Sequence, residues 1–241
     1  MFKKAPLPEA DLSVVKVDMH SHFIPGIDDG AKNTADSLEM LAEMRELGYT
    51  KVITTPHIMS DGYKNTPEII LKGLERLKKA VKEANIDIEV EAAAEYYFDY
   101  EFEKSIAQKN KLTFGDKYLL WELSFMNQPE NINEVIFEML MNGYKPVLAH
   151  VERYPFWHKD FSKYEDLASR GAILQLNLNS IPGQYGAATK KAAEHLIDNN
   201  MISFLGTDCH NMGHLATVRK ALTEPYLHKL LASGKLLNAT L

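Results

Sequence analysis

The stretch VDMHSHFIPGIDDG, residues 17–30, governs how the rest of the chain is read. Val14, Val15, Val17 and Met19 read as a strand, while Pro25-Gly26 and Asp29-Gly30 read as turns. Residues two apart on a strand point to one face, so His20 and His22 are expected to project together. Two neutral imidazoles side by side can chelate a metal ion, and Asp28 or Asp29 can return from the loop to the same place. Two hydrogen-bonded histidines above an acidic turn would produce the same letters. What stands at the other strand ends has to decide between these readings.

Working outward, short apolar strands alternate with amphipathic helices. A helix over Ser37–Gly48 carries Leu38, Leu41, Met44 and Leu47 on one face and ends at the glycine. TKVITTPH reads as a second strand, and a long charged helix from about Thr66 to Asn85 starts at Thr66-Pro67, with Thr66 as its cap. IDIEVEAAAEYY and DKYLLWELSF follow as strands, then a helix near 132–142, the strand KPVLAHVERY and a helix near 164–170. AILQLNLNS, a helix near 187–199 and MISFLGTDCH complete the series before a helical tail from about Leu215, broken at Pro225. Seven strands with helices between most of them predict an α/β fold with a parallel sheet, open or closed into a barrel. In either form functional groups collect at the carboxyl edge of the strands.

That edge is crowded with ligand chemistry. The predicted strand ends bear His20 and His22, with Asp29 in the loop behind them, then His57, Glu95, Glu122 and His150, and finally Asp208 and His210. Glu95 in AAAEYY and Glu122 in LLWELSF sit in apolar surroundings, where an unpaired carboxylate costs several kcal/mol. A metal cluster removes that cost. Structural zinc is the wrong comparison, because it favours closed four-ligand cysteine and histidine sites at short spacing. Four carboxylates would neutralise two divalent ions outright, whereas three ions leave about +2, a balance suited to a phosphate dianion and to lowering the pKa of a bridging water. His158, His195 and His228 fall outside this set.

The bulk properties narrow the function classes. The 241 residues are 45% hydrophobic and suit one domain, 1–241, with a short N-terminal lead over about 1–13. MFKKAPLPEADL is too polar for a secretory signal and no long apolar run follows, so neither secretion nor membrane insertion is expected. A net charge of −6 without a basic stripe argues against nucleic acid as a partner. The single cysteine, Cys209, excludes an internal disulfide and fits a cytoplasmic protein. A cysteine phosphatase would need an arginine six residues beyond its thiolate, and that position is Leu215.

Taken together, DMHSHFIPGIDDGAKN, TTPHIM, Glu95, WELSF, LAHVERY and GTDCHN resemble the PHP (polymerase and histidinol phosphatase) superfamily from about Val17 to His214. More narrowly, the chain resembles the bacterial manganese-dependent protein-tyrosine phosphatases of capsule and exopolysaccharide (CpsB/CapC-like) type. The resemblance implies a distorted (β/α)7 TIM-like barrel with three divalent metal ions at its carboxyl-terminal mouth, manganese first, with iron, zinc or magnesium as alternatives. It puts His20, His22, Glu95 and Asp208 on one ion. Glu95 then bridges to a second ion held by Glu122 and His150, and Asp29, His57 and His210 hold the third. Asp28 is the weaker half of its pair. Arg153 would grip the phosphate while a metal-bridging hydroxide attacks phosphorus. The partner implied is a phosphotyrosine protein, a bacterial tyrosine kinase with a tyrosine-rich tail, and a small-molecule phosphatase of histidinol-phosphate type is the alternative. Relatives often carry a second arginine beyond the final Asp-x-His. Here NMGHLATVR offers His214 as a protonated substitute or general acid, with Arg219 farther on. Tyr63, Tyr96, Tyr97, Phe98, Tyr154, Phe156 and Trp157 are candidates to flank a phosphotyrosine ring.

Overall fold

The computed structural model describes residues 7–241, so the first six residues of the expected lead lie outside the described part. Nine short strands are defined: β1 (Val17–Asp18), β2 (Lys51–Thr54), β3 (His57–Ile58), β4 (Glu89–Ala92), β5 (Glu95–Tyr97), β6 (Tyr118–Glu122), β7 (Lys145–Leu148), β8 (Ile173–Asn177) and β9 (Phe204–Gly206). The expected TKVITTPH strand is split into β2 and β3 at Thr55-Pro56, because Pro56 has no N–H to give to a ladder. IDIEVEAAAEYY is also split, into β4 and β5, at Ala93-Ala94 opposite that break. The two pairs still run side by side, with Thr54 opposite Ala92 and His57 opposite Glu95.

All strand neighbours are parallel, in the orders β1-β2-β4 and β3-β5-β6-β7-β8-β9. A parallel bridge between Ser21 and Cys209 joins the first strand path to the last. The Asp208 N–H donates to the His20 carbonyl at 2.8 Å, and the His22 N–H donates to that of Cys209 at 2.9 Å. The seven strand paths therefore close into the distorted (β/α)7 barrel.

The helices pack outside. α1 (Thr34–Glu46) starts at Thr34 rather than at Ser37, because the Asn33 side chain accepts the Asp36 N–H and sets the first turn earlier. Gly48 follows it at φ +101°, where a Cβ would lie 2.9 Å from the Ser13 nitrogen. α2 (Pro67–Glu83) is capped by Thr66 and has proline in its first turn. Next come α3 (Tyr100–Ser105), α4 (Ile132–Met141), α5 (Ser162–Ser169), α6 (Ala187–Asp198), α7 (Met212–Ala221) and α8 (Pro225–Ala232). The helical tail is broken just before Pro225, as its sequence predicts. No helix among the described residues is long and apolar enough to cross a membrane.

The two-residue period of the strands divides the core. Val52, Leu119, Trp121 and Leu148 pack in the large layer between barrel and helices. Ile53, Ala93, Leu120, Val147 and Phe204 form a separate cluster that fills the barrel. His57, Glu95, Glu122 and Asp208 have the same parity as the barrel-filling residues on their strand paths, so the interior surface changes from apolar to ligand-bearing at the carboxyl end. This change of lining positions the site.

Candidate metal centre

The structure brings together all nine side chains at the predicted strand ends. His20, His22 and Glu95 are fully buried, and Glu122, His150 and Asp208 are nearly so. Seven of the nine line a cavity of about 270 Å³ at the barrel mouth, while His20 and His22 are buried against its Glu95 and Asp208.

Distances define the groups within the cluster. His20 Nε2 lies 3.2 Å from Glu95 Oε2 and 3.4 Å from Asp208 Oδ1. His22 Nε2 lies 3.5 Å from the same two oxygens. His150 Nε2 stands 3.2 Å from Glu95 Oε1 and 3.7 Å from Glu122 Oε2. Asp29 Oδ1 is 3.4 Å from His57 Nε2 and 3.3 Å from His210 Nε2. Several of these residues form sets of three or more with ligand atoms close enough to share an ion, including His22, Asp29, His57 and His210. His57 also turns Nδ1 to within 3.2 Å of both Glu95 and Glu122, so its ring links two groups.

Two backbone distortions serve this convergence. His150 follows β7 at φ +32° and Asp208 follows β9 at φ +49°, left-handed conformations that side-chain-bearing residues seldom adopt. Each costs on the order of 1 kcal/mol and persists only because the surroundings fix it. β1 ends at Asp18, so His20 and His22 do not lie on a continuous ladder as the alternation predicts. They stand instead on the bend that crosses to Cys209, with ring centroids 5.6 Å apart.

A surrounding layer sets the ring tautomers. Asp28 Oδ2 lies 2.8 Å from His22 Nδ1, Gln175 Oε1 lies 3.0 Å from His20 Nδ1, and the Asp208 carbonyl lies 2.9 Å from His210 Nδ1. An oxygen at Nδ1 holds the proton there and leaves the Nε2 lone pair facing the cluster, the arrangement a metal-ligating imidazole needs. The Nε2 atoms of His20 and His22, His57 Nδ1 and Glu95 Oε2 are buried with no hydrogen-bond partner. Four such atoms converging on one region are costly unless a cation satisfies them, so the donor set fits a metal.

Electrostatics agree. Burial opposes ionisation of Glu95 and Asp208, yet the surrounding histidines hold both carboxyls well below their ordinary range. Hydrogen bonds from His210 and His57 lower that of Asp29. Burial depresses His57, but Glu95, Asp29 and Glu122 overcome it and raise its pKa to about 10. The cluster is a negative field that demands positive charge, which protonated imidazoles or metal ions can supply.

Asp29 is half-exposed with its oxygen at the cluster, while the Asp28 side chain is fully buried and committed elsewhere. Asp28 accepts from the Gly30 and His57 N–H groups as well as facing His22. Arg153 donates to Asp208 Oδ2 at 2.9 Å, its guanidinium lying between the rings of Phe125 (4.8 Å) and Tyr185 (4.1 Å). His214 sits in the first turn of α7 with Nδ1 2.9 Å from the Asp208 carbonyl, and burial lowers its pKa. Arg219 is on the outside, paired with Glu43. Of the candidate aromatics, Tyr63 and Tyr97 line the cavity. Tyr96, Tyr154 and Trp157 are core residues instead, their polar atoms bonded to Leu112, Leu123 and Gln128. Cys209 is fully buried against Met40, and burial pushes its thiol up.

Sequence reasoning missed Gln175, Tyr185, Phe125 and Asn177. Gln175 lies on β8, the strand path that gives no titratable side chain to the cluster, and a buried amide within LQLNL was its available signal. Asn177 donates to Asp208 Oδ2 at 2.8 Å, which leaves Oδ1 for the cluster.

Residues 16–231 match the sequence profile of the family described as capsular polysaccharide synthesis, CpsB/CapC. The chain belongs to the CpsB/CapC family. The tyrosine-protein phosphatase YwqE of Bacillus subtilis is 32% identical over 197 residues, 81% of this chain and 78% of that protein. The tyrosine-protein phosphatase CpsB of Streptococcus pneumoniae is 26% identical over 202 residues, 81% of this chain and 83% of that protein. A crystal structure from work on YwqE and CpsB, described there as metal-dependent tyrosine phosphatases, superposes with a TM-score of 0.77 at 29% identity, covering 89% of this chain and 94% of the other. Histidinol phosphate phosphatase of Lactococcus lactis shares the fold alone, with a TM-score of 0.53 at 14% identity. The CpsB/CapC membership agrees with the resemblance that the motifs carry.

Proposed function

We propose that this CpsB/CapC protein is a metal-dependent protein-tyrosine phosphatase whose centre is built by His20, His22, Asp29, His57, Glu95, Glu122, His150, Asp208 and His210. The observation that carries this reading is the convergence of buried, partnerless ligand atoms from His20, His22, His57 and Glu95 at the mouth of a CpsB/CapC barrel. His20, His22, Glu95 and Asp208 would hold one ion. Glu95, Glu122 and His150 would hold a second, and Asp29, His57 and His210 a third. Nine ligands with one carboxylate shared support three ions, and the mixed imidazole and carboxylate set suits manganese, with iron, zinc or magnesium able to occupy it. When bound, the ions supply positive charge for the phosphate oxygens and an activated water for in-line attack.

The remaining work falls to the chain. The Phe125–Tyr185 sandwich and the contact with Asp208 hold Arg153 at the cavity wall, where its free N–H groups can clamp a phosphate as charge builds. Tyr63 and Tyr97 offer ring faces to a phosphotyrosine at the same mouth. A phenolate leaves near pKa 10, so little demand falls on a general acid. The neutral ring of His214, turned to the Asp208 carbonyl, suits a role in ordering that loop.

The substrate is a phosphotyrosine protein, and an autophosphorylated tyrosine kinase of polysaccharide synthesis is the partner we assign. A cytoplasmic setting would keep the Cys209 thiol reduced. Phosphate release by the Mn²⁺-loaded protein should be measured from phosphotyrosyl peptide, phosphoseryl peptide and histidinol phosphate, with His150→Ala alongside. Release from phosphotyrosine alone, abolished in the variant, is expected. Release from histidinol phosphate alone would move the function to small-molecule metabolism on the same centre.

A further inference from the structure

A second pocket, of about 280 Å³, opens between the start of α2 and α3. It shares Met59 with the metal-centre cavity, so one wall separates the two. Along that wall Tyr63 and Tyr97 face the metal centre, while their chain neighbours Lys64 and Tyr96 face the second pocket. The wall is held in place. Asn65 Nδ2 donates to the carbonyls of His57 (2.8 Å) and Ile27 (2.9 Å), the Ser60 N–H donates to Asp99 Oδ2 at 2.9 Å, and the Tyr96 hydroxyl accepts the Leu112 N–H at 2.7 Å.

The lining is apolar at Ile58, Met59, Pro67, Tyr96 and Phe102, cationic at Lys64 and Lys111 and acidic at Asp99 and Glu101. The second oxygen of Asp99 is taken by the Phe102 N–H at 2.8 Å, and Glu101 is exposed on α3. Among the described residues neither lysine takes part in an ion pair, unlike Lys51, Lys145, Lys190 and Lys229. Lys111 is only partly exposed, with Nζ 5.6 Å from the Tyr96 ring, and burial lowers its pKa with no carboxylate opposing. A partly desolvated ammonium above an aromatic floor, with no carboxylate paired to it, is the complement of a ligand that is apolar with an anionic neighbour.

We infer that this pocket is a second subsite of the phosphatase, one that seats an apolar side chain and an adjoining carboxylate flanking the phosphotyrosine of a polypeptide substrate. The inference rests on the phosphotyrosine reading above and extends it to sequence preference. It also separates protein substrates from small phosphate esters, which fill the metal-centre cavity and do not reach past Met59.

The test compares three phosphotyrosyl peptides whose flanks are leucine with glutamate, alanine throughout, or leucine with lysine, each relative to p-nitrophenyl phosphate. The wild-type protein should favour the leucine–glutamate peptide over the alanine peptide by about tenfold in kcat/KM, mostly through KM. The double variant Lys64→Glu, Lys111→Glu should lose that preference and shift toward the lysine-flanked peptide. An identical ranking of the three peptides in both proteins would overturn the subsite. The same ranking is read as dissociation constants, by fluorescence anisotropy, from peptides carrying a non-hydrolysable difluorophosphonate in place of the phosphate. If no peptide is hydrolysed, the phosphotyrosine reading fails, and the anisotropy ranking still decides the pocket.

Discussion

Gln175 and His20 are bound through a single oxygen: Oε1 of the glutamine lies 3.0 Å from Nδ1 of the histidine and also accepts the His150 N–H at 2.8 Å. One neutral residue thus fixes a ring on the first strand path and the backbone of His150 on the fifth. Gln175→Leu should fold and lose about ten- to a hundredfold in metal affinity, the usual effect of removing an outer partner. Titration of the chelator-stripped variant with Mn²⁺ checks it, and wild-type affinity would show that His20 needs no such support.

Asp28 uses both oxygens. One accepts the Gly30 N–H at 3.0 Å, and the other faces His22 Nδ1 at 2.8 Å and the His57 N–H at 3.3 Å. Asn has a single acceptor, so Asp28→Asn leaves a buried donor unmet at a cost of about 1–3 kcal/mol. A lower Tm together with weaker Mn²⁺ binding is the expected pair of results, and a fall in Tm alone would reduce Asp28 to a loop anchor.

Much of this was legible in the sequence, for physical reasons. His20, His22, Asp208 and His210 announce themselves because paired titratable residues after apolar strands are costly without a purpose. The barrel follows from alternating periods. The breaks at Thr55-Pro56 and Ala93-Ala94 blur the strand ends, and the turn at His150 comes from a left-handed φ that no pattern encodes. Gln175, Asn177 and Tyr185 are hard to read from sequence because neutral polar residues gain their roles only from neighbours distant in the chain: Gln175 reaches His20, Asn177 reaches Asp208, and Tyr185 reaches Arg153.

Arg153→Lys keeps the charge but loses the planar fork and the stacking on Phe125 and Tyr185. The kcat/KM for phosphotyrosyl peptide should fall about a hundredfold, the scale of losing one preorganised donor to a charged transition state. Metal content, read by elemental analysis, should hold. Unchanged kinetics would leave Arg153 as a partner of Asp208 alone.

Gly206 is packed so closely that a Cβ there would lie 2.8 Å from His20 Cβ and 2.9 Å from Gln175 Nε2. Gly206→Ala must push both residues aside and should lower Tm and Mn²⁺ affinity together. Cys209→Ala should keep full phosphatase activity, since its buried thiol points to Met40. Loss of turnover in a folded Cys209→Ala protein would reopen thiolate chemistry.

The most direct test of the account is phosphate release from a phosphotyrosyl peptide by protein stripped with a chelator, before and after Mn²⁺ is restored. The account predicts negligible release from the stripped protein and recovery on adding Mn²⁺. Undiminished release from protein shown by elemental analysis to be free of metal would contradict it.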